Sequence, residues 1–141
     1  MVLPICGSSA NGQKRSESVD EMEGFRVSIA DEFCRALDAG MAELSTDQWA
    51  VNKAREHVLI GLTPSDAFDS IVEVLNLAGQ QTDEYAFASC CWFVMNLARL
   101  SDTTEPPSGF NDALVSLQPL AGKFEALNEL ETIANWYRLR I

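Results

Sequence analysis

Apolar residues recur along most of the chain at three- and four-residue steps, the period of one face of an α-helix. Met22, Phe25, Ile29, Phe33, Leu37, Met41 and Leu44 form the first such stripe, and Ser18 with Glu21 makes a capping box ahead of it. Gly24 and Gly40 weaken this helix, and Gly24 is a point where it can split. Ser45 with Gln48 predicts the start of a second helix, whose inward stripe is Val51, Ala54, Val58 and Leu62. Thr63-Pro64-Ser65-Asp66 is a strong start signal: a threonine cap, proline at the first helical position and an acid in the first turn. The helix that follows buries Ala67, Phe68, Ile71, Val72, Leu75 and Ala78 and ends at Gly79.

Thr82 is the expected cap of a fourth helix, with Asp83 and Glu84 in its first turn. From Tyr85 to Leu100 that helix is apolar almost all round, which predicts a central element touching neighbours on several sides. A loop with Pro106 and Pro107 precedes a short helix over 110–117. A last helix carries Leu120, Phe124, Leu127, Leu130, Ala134 and Tyr137. No stretch alternates apolar and polar residues with the period of a strand. The pattern predicts an all-α fold of five to six helices packed as antiparallel hairpins, alternatively a short stack of helix pairs. Residues 1–16 lack periodicity and predict a flexible tail; 17–141 predict one helical domain.

Composition narrows the function. Ten Lys and Arg against 21 Asp and Glu give a net charge of −11, which disfavours binding to phosphate backbones and anionic lipid. No apolar run reaches the roughly 20 residues that span a bilayer. The first residues carry no basic segment and too short an apolar one for a secretory signal. Cys6, Cys34, Cys90 and Cys91 have no paired spacing, so reduced thiols in a cytoplasmic protein are expected. The one histidine, His57, follows Glu56 in mid-helix, where neighbours do not face each other. No phosphate loop, zinc spacing or nucleophile motif occurs, so no enzyme, metal or cofactor is expected.

The acids are clustered. Residues 17–47 hold nine acids against Arg26 and Arg35, and no Lys or Arg lies between Arg55 and Arg99. Asp20, Glu23, Asp31 and Asp38 share one helical stripe, and Asp66, Asp69 and Glu73 share another. Like charges at such spacings repel by a few tenths of a kcal/mol per pair. Such grouping either keeps the chain soluble or meets a basic partner. Trp136 projects off its helix's apolar stripe beside Glu125 and Glu129, and Trp49 lies off its own stripe beside Lys53 and Ile60. Tyr85, Ser89, Trp92, Asn96 and Arg99 form a semi-polar stripe on the fourth helix. Exposed aromatics among charges are interface anchors.

The stretches LTPSDAFDSIVEVLNLAG (62–79) and TDEYAFASCCWFVMNLARL (82–100), in a short, acidic, all-helical chain, resemble the cytosolic immunity proteins of bacterial toxin–immunity pairs, as in contact-dependent inhibition. The resemblance covers roughly residues 18–140 and implies a non-enzymatic inhibitor that occludes the active site of a basic toxin domain such as a nuclease. Asp31, Asp38, Asp66, Asp69 and Glu73, with Trp136 as an aromatic anchor, are the candidate partner-binding residues. A phage-type acidic mimic acting on a nucleic-acid enzyme is one alternative. A helical adaptor or homodimer associating through the Trp49 or Trp92 face is another.

Overall fold

A computed structural model describes residues 28–139, so the proposed tail and the capping box at Ser18 lie outside the described residues. Within them every regular element is helical: α1 (Ile29–Ala42), α2 (Ala50–Leu59), α3 (Pro64–Ala78), α4 (Glu84–Ser101), α5 (Phe110–Ser116), α6 (Gln118–Lys123) and α7 (Leu127–Trp136). The chain divides into two compact units, one ending at Val58 and one beginning at Leu59.

In the first unit, α1 is capped by Ser28, whose hydroxyl accepts a hydrogen bond from the Asp31 amide at 3.1 Å. Its inward positions are Ala30, Phe33, Cys34, Leu37 and Gly40. Gly40 costs the helix propensity but admits a close neighbour. A Cβ there would lie 3.1 Å from the Val51 Cα and 3.2 Å from the Ala50 carbonyl, so glycine lets the backbone of α2 approach. The turn between the two helices is organised by Asp47, not by the expected Ser45–Gln48 box. Its carboxylate accepts from the Trp49 amide at 3.0 Å and from Lys53 Nζ at 2.8 Å.

In the second unit, α3 begins as expected. The Thr63 hydroxyl accepts from the Asp66 amide, and the Asp66 carboxylate accepts from the Thr63 amide, with Pro64 in the first turn. Residues 79–83 return the chain, and α4 packs along α3 as its antiparallel neighbour. The cap of α4 is Asp83, which accepts from the Ala86 amide at 3.0 Å. That is one residue later than the expected Thr82. Phe87, Cys90, Phe93, Val94, Leu97 and Ala98 on α4 are all fully enclosed, and Ser89, on the expected semi-polar stripe, is buried with them. α7 also packs on α4, and α5 packs on α3. Phe87 meets Phe124 at 5.6 Å between ring centroids, and Phe110 meets Tyr137 at 4.5 Å.

The expected last helix is two. α6 ends in a turn where the Ala126 amide bonds back to the Ala121 carbonyl and the Glu125 amide to that of Gly122. This is the Schellman arrangement, and it needs a left-handed residue. Glu125 fills that position at φ 57°. The same device ends α7, with Leu139 bonded to Ala134, Arg138 to Asn135, and Arg138 at φ 60°.

Two substitutions test this reading in opposite directions. Glu125→Gly removes the steric cost of a left-handed side chain, about 1 kcal/mol, and should raise the midpoint of urea unfolding; a lower midpoint would contradict the Schellman assignment. Gly40→Ala improves helix propensity by about 1 kcal/mol, but it pushes a methyl into the backbone of α2 at a cost of about 2 kcal/mol. The net effect should be a lower melting temperature, and a rise would show that α2 yields easily.

Candidate functional site

The core leaves the outer face of α3 to polar residues. Its inward side, Ala67, Ser70, Ile71, Val74, Leu75 and Ala78, is buried. Asp69 and Glu73 stand on the opposite side, exposed and one turn apart. Asp66 begins the same row but is half-buried, and its carboxylate is occupied as the reciprocal half of the capping box. Its carboxylate serves the helix start first.

On α1, in the other unit, Asp31 is exposed in the first turn, where the helix dipole favours an acid. Asp38 is half-buried and has an interaction of its own. Of the five candidate acids, Asp31, Asp69 and Glu73 therefore present open carboxylates.

Trp136 departs from expectation. It is half-buried, and its indole nitrogen donates to the Thr103 carbonyl at 3.1 Å. The ring fastens the 102–109 loop to the end of α7, and α7 packs on α4 and α6 while α3 packs on α4 and α5. It is a structural tie and does not extend the acidic row of α3. Trp49 has the exposure expected of an anchor, 56%. Tyr85 and Trp92 lie edge to face at 5.9 Å, both half-buried, on α4.

The buried nucleophiles are quiet. Cys90 and Cys91 are free thiols inside α4. Burial pushes Cys90 well up. It pushes Cys91 to about 12, helped by the negative charge of Glu129. Such thiols hold almost no thiolate at neutral pH. Cys34 is disulfide-bonded, so the expectation of reduced cysteines throughout fails there. Burial raises the Tyr137 phenol to about 12 as well, opposed by the nearby Ser101 hydroxyl. Among the described residues no three His, Cys, Asp or Glu side chains group to hold a metal ion, and no helix is long and apolar enough to cross a membrane.

The residues that sequence reasoning missed are Asp47 and Glu56. Asp47 aims Lys53 and sets the start of α2, and the spacing Asp47–Trp49 is the Asx-turn signal that marks it. Glu56 is exposed on the same helix face as Trp49. Compared with known proteins, the chain matches no protein family, no curated protein and no solved structure.

A thiol reagent at pH 8 followed by peptide mass spectrometry should leave Cys90 and Cys91 unmodified in the folded chain and modify both in denaturant. Their raised values stabilise the fold fully below the unfolded thiol range near 9, and that contribution is lost as pH rises toward about 12. Melting temperature should therefore fall across that alkaline window. Rapid native labelling of either cysteine would contradict their enclosure.

Proposed function

We propose that this chain is a non-enzymatic inhibitor that binds a basic protein domain, of the toxin class neutralised by immunity proteins, and covers its active site. The observation that carries the reading is the outer face of α3. Asp69 and Glu73 stand exposed there, in a stretch without Lys or Arg between Arg55 and Arg99. Folding gains nothing from that grouping, because carboxylates a helical turn apart repel. A basic partner supplies the missing counter-charge, speeds encounter and fixes orientation. Asp31 offers a further open carboxylate, while Asp66 and Trp136 have roles inside the fold that rank them below it. A bacterial cytoplasmic location goes with this reading; the Cys34 disulfide is the observation against a strictly reducing one.

The test is titration of a nuclease toxin domain encoded beside this chain. Equimolar chain should abolish nuclease activity, and the association rate should fall steeply with ionic strength while dissociation changes little. Asp69→Asn with Glu73→Gln should keep the melting temperature and weaken the complex at least tenfold, since a buried charge pair contributes about 2 kcal/mol or more. Unimpaired nuclease activity, or affinity unchanged in the double variant, would overturn the assignment.

A further inference from the structure

The polar edge of α4 has an acid at one end and a base at the other. α3 and α7 pack on this helix, and one edge of it stays within reach of water. Tyr85, Ala88, Trp92 and Asn96 are half-buried there, and Arg99 is exposed. At about 100° per residue these five fall within a sector of about 80°. Their spacing is symmetric about Trp92: Ala88 and Asn96 stand four positions from it, and Tyr85 and Arg99 seven. Tyr85 and Trp92 lie edge to face at 5.9 Å, so the aromatic part of the edge is pre-formed. Arg99 is the only Lys or Arg between Arg55 and Lys123. Glu84 is exposed at the other end of the helix, on the same side of the stripe as Arg99. Among the described residues neither of these two charges makes an ion pair.

We propose that this edge of α4 is a self-association surface, on which a second copy of the chain docks antiparallel about a two-fold axis at Trp92. The two Trp92 side chains then meet at the axis, and Ala88 of each copy lies opposite Asn96 of the other. Arg99 of each copy reaches Glu84 and the Tyr85 ring of the other, an ion pair beside a cation–π contact. A closed two-fold contact requires a surface that is its own complement. A parallel arrangement would set Arg99 against Arg99 and Glu84 against Glu84, so the charges select the antiparallel one. All six residues stand on one helix, so no backbone has to be ordered on contact.

The size of the surface sets the strength. Half-buried rings present only their edges, and the total stays below the ~1,200 Å² typical of stable complexes. Each copy also carries a net charge of −11, a repulsion screened beyond about 8 Å at physiological salt. The dimer is therefore weak and reversible, with a dissociation constant on the order of 100 µM. It engages α4 alone, so it stands or falls separately from binding at the acidic row of α3.

Sedimentation equilibrium of the full chain from about 10 µM to 1 mM, in about 0.15 M salt, covers that range. The mass should climb from 15.5 kDa toward twice that value. Arg99→Glu or Glu84→Lys alone sets like charges across the axis twice, and each should weaken the dimer at least tenfold. Combining the two restores opposite charges, so the doubly substituted chain should dimerise again. Helical circular dichroism should be unchanged in all three variants. A monomer throughout the range would overturn the proposal. So would single variants that dimerise as the parent does, or a folded double variant that stays monomeric.

Discussion

A helix that is apolar around most of its circumference has to be covered around most of it, and α4 imposes that demand on the second unit, with its Trp92–Asn96–Arg99 edge left partly open. Phe87, Phe93 and Leu97 have no exposure at all. Fully burying a side chain of that size contributes about 2–3 kcal/mol, and truncating one to alanine leaves a cavity costing about 3–5 kcal/mol. α3 and α7 answer by laying their apolar stripes on α4, and α5 in turn covers α3. The polarity of α3 follows. Its inward stripe is committed to α4 and α5, so chemistry can stand only on its outward row, and that row is acidic.

The ends of these helices are settled locally. Ser28, Asp83 and the Thr63–Asp66 pair satisfy first-turn amides from within their own turns. The Schellman turns after α6 and α7 satisfy last-turn carbonyls in the same way. These boundaries are fixed by residues three to five positions away, so they do not wait on distant contacts. Trp136 instead reaches across 33 positions to hold Thr103.

Periodicity made the helices legible, and the Thr63 start, the Gly79 end and the enclosed character of α4 could all be read from residue order. The boundaries that escaped did so for a physical reason. Several side chains can compete for the same free amides: Asp83, not Thr82, caps α4, and ahead of α2 it is Asp47, not Ser45, that takes an amide, that of Trp49. The break at Glu125 left no mark because glycine usually marks a left-handed turn, and the Leu120-to-Tyr137 stripe stays in phase across it. At the candidate site, spacing placed Asp69 and Glu73 outward correctly. Spacing says nothing of prior commitments, so the capping duty of Asp66 and the loop bond of Trp136 emerged only from geometry.

This account makes α4 the last element to come apart, with α3 and its acidic row held rigidly against it. Native-state hydrogen exchange resolved by residue measures that directly. The account predicts that amides of residues 87–98 exchange only through global unfolding, at the free energy found by denaturant. Those of residues 71–78 should follow closely, and α6 and the 102–109 loop should open far sooner. Exchange in α4 as fast as in α6 or the loop would contradict it.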